Sequence, residues 1–190
     1  HIHNCIYSDV NNNWYILTGD SDSESRIYIF DSETRKMNFL CGGAQKYRAV
    51  SVIEDNESLI VPTDTPDDLN YIQKFNLKSR EIRRLLRVNG SCFHTFKEGN
   101  LKLVSTVTEP SKINRSNYSN IYGTIDGENW HKLLSFKKDF FPISLQKYTR
   151  YSEIRFLNKS FDDYIICECR ALKVMSHGLI AIKKFDLIKA

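Results

Sequence analysis

Apolar and polar positions alternate along this chain in short bursts. "NCIYS", "WYILT", "RIYIFD", "AVSVIE", "SLIVPT", "NYIQKFN", "LKLVSTV", "SNIYGTID", "YIICECR" and "GLIAIKKFD" are each strand-length, rich in Ile, Val, Tyr and Phe, and bounded by Asn, Asp, Gly, Ser or Pro. A period of two places successive side chains on opposite faces of a pleated strand. No stretch of about 12 residues carries the i, i+3, i+4, i+7 apolar face of a helix. The pattern predicts an all-β chain.

The turns between these strands recur. "YIFDSETRKM" and "QKFNLKSREI" superpose with Phe30 on Phe75 and Asp31 on Asn76, an offset of 45 residues. "GTIDGENWHKL" supplies a third copy at Asp126, and "KKFDLIKA" a fourth at Asp186. Four units follow, near residues 1–45, 46–90, 91–140 and 141–190, each with room for four strands. A period of about 40 to 50 residues with four strands per unit is the signature of a β-propeller, whose blades bury their faces against their neighbours. A β-sandwich would not need the same Phe-Asp turn in every unit. The divergent fourth unit points to part of a six- to eight-bladed ring, completed by further blades or by self-association.

Composition adds exclusions. With 41% hydrophobic and 12% aromatic residues, the 190-residue chain can build a packed core. No apolar run approaches the roughly 20 residues of a membrane span. The net charge is +4, with 27 basic and 23 acidic residues interspersed. The densest basic stretch, "KSREIRRLLR", reads as a half-solvated edge strand rather than a phosphate-binding patch, so no nucleic-acid partner is expected. The five cysteines lack zinc-site or disulfide spacing and read as buried thiols, with Cys167 and Cys169 on one strand face. No charged-then-apolar leader opens the sequence, and with the odd cysteine count this favours a cytoplasmic location.

"GTIDGENW" resembles a shortened Asp-box, the Ser/Thr-x-Asp-x-Gly-x-x-Trp turn of sialidase-like BNR-repeat propellers. Thr124, Asp126 and Trp130 match that motif. The resemblance implies a turn between the third and fourth strands of a blade, its Asp tying down backbone amides and its Trp packing beneath. "HIHNCIYSDVNNNWYILTGDSD", "YRAVSVIEDNESLIVPTDTPDDLNYI" and "TVTEPS" are similar to a bacterial branch of these propellers associated with surface polysaccharide genes. The branch implies a glycan as partner. The Asp-box is a structural device and implies no sialidase chemistry.

The acids follow the repeat. In a four-stranded meander the end of strand two and the start of strand one lie on the same ring face. "TGD", "PTD" and "VTE" place Asp20, Asp64 and Glu109 at the ends of three successive second strands. Starts of first strands add His1 and His3, then Arg48, then His94. Such a funnel could hydrogen-bond sugar hydroxyls, Arg48 pairing a sugar carboxylate through its planar fork. Tyr47, Tyr71 or Trp14 could stack a pyranose ring. Asp64 and Glu109 are the candidate catalytic acids if the glycan is cleaved by a glycosidase or lyase; His3, Asp20, Arg48 and His94 are substrate-binding. Each acid has an alternative role as a cap on its own turn. A non-catalytic scaffold for a protein partner is the alternative function.

No cofactor is expected. "GDSDSE" offers carboxylate oxygens to calcium but is too short for an EF-hand loop. "HIH" offers two imidazoles on one strand face, with no third ligand nearby in the sequence.

Overall fold

The computed structural model describes residues 1–109, 111–146, 148 and 151–188. They form four consecutive antiparallel meanders. Blade one is β1 (Ile2–Ser8), β2 (Asn13–Thr18), β3 (Arg26–Asp31) and β4 (Lys36–Gly42). Blade two is β5 (Ile53–Asp55), β6 (Ser58–Pro62), β7 (Asn70–Asn76) and β8 (Ile82–Val88). Blade three is β9 (Cys92–Glu98), β10 (Leu101–Thr106), β11 (Tyr118–Thr124) and β12 (His131–Lys137). Blade four has three strands, β13 (Glu153–Phe161), β14 (Tyr164–Arg170) and β15 (His177–Lys183). The chain is all-β, and its sheets are propeller blades.

Period-two alternation sends neighbouring side chains of one strand into different interfaces. Leu59 and Val61 of β6 pack with Tyr15, Leu17 and Ile27 of blade one. Between them, Ile60 faces the other way and joins Val104, Tyr122 and Trp130 of blade three. Leu103 and Ile121 of blade three meet Ile154, Ile165 and Cys167 of blade four. One core thus fills each of the three spaces between successive blades, which is why middle strands such as β6 and β10 are buried on both faces. Cys167 and Cys169 share one face and both lie in the third core. At the hub, the inner strands converge: Asn4–Tyr7, Ser51, Val52, Phe93–Thr95, Arg155 and Phe156 line one polar cavity of about 480 Å³.

The fourth unit departs from expectation. Asp186 does not sit in a turn between a third and a fourth strand; it lies in a short helix, Lys184–Ile188, that follows β15 directly. The helix drops Leu187 into the core between blades three and four. An apolar residue at that spacing serves a helix capping the blade as well as it would serve a strand. The last two residues of "KKFDLIKA" lie outside the described residues.

A better four-fold repeat lies in the first hairpin of each blade. Asn12, Asn56, Gly99 and Asp162, each between the first and second strands, all have positive φ, from 49° to 55°. Asn, Asp and Gly tolerate this left-handed conformation, so they close each hairpin at little strain. The basic stretch predicted as an edge is β8, the outer strand of blade two, with Arg83 and Arg84 exposed. No helix among the described residues is long and apolar enough to cross a membrane.

Candidate functional site

In each of the first three blades one backbone hydrogen bond ties the end of strand two to the residue that enters strand one. Gly19 N–H donates to His1 O (2.9 Å), Asp64 N–H to Arg48 O (3.0 Å) and Val107 N–H to Ser91 O (2.9 Å). These bonds fix His1, Arg48 and Ser91 as equivalent positions and bring Asp20, Asp64 and Glu109 beside them. The sequence comparison assigned His94 to that place. His94 lies three residues further along, inside β9, and faces the hub cavity.

Arg48 joins blades one and two. Its Nη2 is 3.0 Å from Asp20 Oδ1, its Nη1 donates to Asp20 O at 3.1 Å, and its Nε is 3.5 Å from Asp64 Oδ2. His3 is buried against the same group, with Nε2 3.1 Å from Asp20 Oδ1 and Nδ1 3.1 Å from Ala49 O. His1 Nδ1 is 2.6 Å from Asp20 Oδ2. Four of the predicted site residues, His3, Asp20, Arg48 and Asp64, therefore form one connected cluster.

Glu109 extends it toward blade three. Burial pushes its carboxyl up to about 7, and the neighbouring charge of Asp64 adds to the effect. Burial also raises Asp64, against the pull of Arg48. Ser91 stands beside both carboxyls. Yet Asp64 Oδ1, Glu109 Oε2, Ser91 Oγ and Arg48 Nε are all buried without a well-formed hydrogen bond among the described residues. Burying polar atoms in this state is costly, and four of them stand together here.

Capping of their own turns does not explain the acids. The turn after Asp20 is held by Glu24, whose carboxylate accepts from Ser21 N–H and Oγ–H. The turn after Asp64 is held by Asn70, whose Oδ1 accepts from Thr65 N–H and Thr63 Oγ1–H. The loop after Glu109 is held by Ser111, whose Oγ accepts from Ile113 and Asn114 amides. Other residues do the capping, which leaves the three acids for the cluster.

The remaining candidates are placed elsewhere. His94 Nε2 is 2.9 Å from Glu153 Oε2 across the interface of blades three and four, where Arg170 also reaches Glu153 at 3.2 Å. Burial works against the Glu153 charge, but His94 and Arg170 outweigh it and hold the carboxyl low. Of the stacking candidates, Tyr47 packs against the first core, Tyr71 lies under Arg84 at 4.1 Å, and Trp14 packs on Tyr7 with centroids 5.2 Å apart. Tyr151, which the sequence reading missed, stands near the acids: burial, then the charges of Glu109 and Asp64, push its phenol up. Phe93 meets it edge to face at 6.1 Å. Ser91 was missed as well, and its position just before the first strand of its blade was the available signal.

The acids of "GDSDSE" do not converge. Asp20 goes to the cluster, Asp22 accepts Gln45 N–H at 3.1 Å, and Glu24 caps its turn. His1, His3 and Asp20 do converge, with one donor atom of each within 4.8 Å of the others, so Asp20 is the third donor beside "HIH" that the sequence did not reveal.

On the β11–β12 side, Asp126 Oδ1 accepts from Glu128 and Asn129 amides at 2.8 Å and from Thr124 Oγ1, and Trp130 is buried in the second core. The backbone amide of Asn129 foremost holds the Asp126 carboxyl well below the usual range. Asp31 and Asn76 receive the same two amides in blades one and two.

No family model matches the chain, and no curated protein matches it. Solved structures of similar shape include the following two. One, from S. cerevisiae, is described as Dbp5 bound to Nup159, Gle1, IP6 and ADP, at 10% identity and a TM-score of 0.49 over 96% of this chain and 44% of that one. The other is the β-propeller domain of the Trilobed protease from Pyrococcus furiosus, described as having an open velcro topology, at 10% identity and a TM-score of 0.43 over 95% of this chain and 81% of that one. This chain spans less than half the length of the first. Its own sheets define it as a run of β-propeller blades.

Proposed function

We propose that the ring face around Arg48, Asp64 and Glu109 binds a glycan, as in the BNR-like propellers that the sequence resembles. The observation that supports this reading is the set of buried polar atoms on Arg48, Asp64, Ser91 and Glu109 without a well-formed hydrogen bond among the described residues, gathered from two blades and released from turn capping. A sugar presents paired hydroxyls, each donor and acceptor, and such groups satisfy this mixture of one N–H, one hydroxyl and two carboxyl oxygens. Tyr151 and Phe93 provide the aromatic surface beside them.

Cleavage of a glycosidic bond is the chemistry the acids are suited to. Glu109, titrating near neutrality, holds a proton to donate to a leaving oxygen, while Asp64, beside Arg48, supplies the carboxylate. Neutral and uronate-containing bacterial oligosaccharides, screened by calorimetry and by release of reducing ends, test the reading. Binding by the wild type that is lost in Asp64→Asn and Glu109→Gln without a fall in melting temperature supports it. Binding that survives both substitutions removes it.

The alternative is a protein-interaction scaffold. A second cavity of about 480 Å³ on blade one, lined by Ile2, Ile16, Tyr28 and Met37, favours this alternative. Sedimentation with Met37→Asp tests it: an assembly that dissociates in the variant supports the scaffold, and a monomer at every concentration opposes self-association.

A further inference from the structure

We propose that His1, His3 and Asp20 form a binding site for a zinc-class divalent ion at the edge of this ring face. The inference does not rest on the glycan reading. The strand period puts His1 and His3 on one face of blade one, and the β2–β3 turn returns Asp20 to them, held by the Gly19–His1 backbone bond. Asp20 is 2.6 Å from one imidazole and 3.1 Å from the other. Tetrahedral zinc with bonds of about 2.0–2.2 Å needs donor atoms about 3.3 Å apart; Asp20 is that close to both imidazoles, and all three donors lie within 4.8 Å, so small side-chain rotations complete the set.

A separate observation orients the ligands. His3 Nδ1 faces the carbonyl oxygen of Ala49 at 3.1 Å, which places a proton on Nδ1. Nε2 can then carry a lone pair directed at Asp20, the arrangement that outer-shell carbonyls impose on metal-binding imidazoles. A lone pair and a carboxylate oxygen 3.1 Å apart repel unless a proton or a metal ion lies between them. Arg48 steadies the carboxylate through Oδ1, the oxygen that also faces His3, while Oδ2 faces His1 and Asp64 balances the guanidinium charge. His3 is 5% exposed, but Asp20 and His1 are 51% and 60% exposed, so an ion enters from solvent and water completes its coordination. Two imidazoles and one carboxylate suit zinc, cobalt or nickel; calcium and magnesium prefer all-oxygen sets.

Calorimetry with Zn²⁺ and absorption with Co²⁺ on the purified chain decide the matter. One equivalent of zinc is expected, with magnesium unable to displace it. Asp20→Asn and His1→Ala should each weaken zinc tenfold or more, about 1.4 kcal/mol. His1→Ala removes an exposed side chain, so its melting temperature stays put and lost binding there is not unfolding. The cobalt spectrum should show ligand-field bands without thiolate charge transfer, which separates this site from exposed Cys5. Equal zinc affinity in wild type and both variants overturns the proposal, as does binding abolished by Cys5→Ser. Neither result bears on sugar binding, which is measured without metal.

Discussion

Arg48 Nε stands 3.5 Å from Asp64 Oδ2, while Nε itself and the second Asp64 oxygen have no hydrogen-bond partner among the described residues. The pair attracts through space without closing into a hydrogen bond, although Arg48 is 16% and Asp64 5% exposed. At 3.5 Å the two atoms are in van der Waals contact, so the attraction is electrostatic with nothing between them.

Unequal effects should follow from truncating the two partners. Arg48→Met leaves two carboxylates without their shared cation, and loss of a buried partner costs about 3–5 kcal/mol. Asp64→Asn leaves Arg48 still paired with Asp20 and removes a charge that burial disfavours, so its effect should stay within ~1 kcal/mol. Urea denaturation of the two variants measures the difference.

Glu109 should make the protein more stable in mild acid than in base. Its folded carboxyl titrates at about 7, above its unfolded value of 4.5, so the folded state holds the extra proton between those limits. That contribution is complete below pH 4.5 and is lost as pH rises through 7. Glu109→Gln cannot ionise and should gain ~3 kcal/mol over wild type at pH 8, with little difference at pH 4. Thermal melts across that range would show a flattened profile, and parallel profiles would contradict the assignment.

Gly127 should not tolerate a side chain. Its φ is +76°, and a Cβ would lie 2.5 Å from Asp55 Oδ2. Asp55 cannot easily retreat, because Lys102 at 3.1 Å and Lys74 at 3.3 Å hold it at the interface of blades two and three. Gly127→Ala should therefore destabilise by more than ~1 kcal/mol, read as a lower melting midpoint with ligand binding retained in the folded fraction.

His94 separates the site from the hub. Its ring is committed to Glu153, so His94→Ala should lower stability, by leaving Glu153 to Arg170 alone, without changing affinity for any ligand of the Arg48 face. A calorimetric titration at a temperature well below the melting point checks this. A large affinity loss would place His94 in the site after all.

Fold class was legible in the sequence because backbone pairing and burial act through a local code. Strands such as "SLIVP" and "YIICECR" declare themselves by composition, and the Asp31, Asn76 and Asp126 turns by an oxygen two and three residues ahead of the amides it receives. The same code misled at Asp186, where a Phe-Asp pair continued into a helix because Leu187 could reach the core either way. The convergence of Asp20, Asp64 and Arg48 was also readable, since equivalent strand ends of a repeat share a ring face. Tertiary structure alone decided the rest. Which residue of "SCFHTF" matches Arg48 depends on the strand register, which gave the place to Ser91 and turned His94 to the hub. Whether the acids cap their turns depends on competing donors and acceptors such as Asn70 and Glu24. The third donor beside His1 and His3 had to come from a turn 17 residues away in the chain, a distance that only the folded hairpin closes.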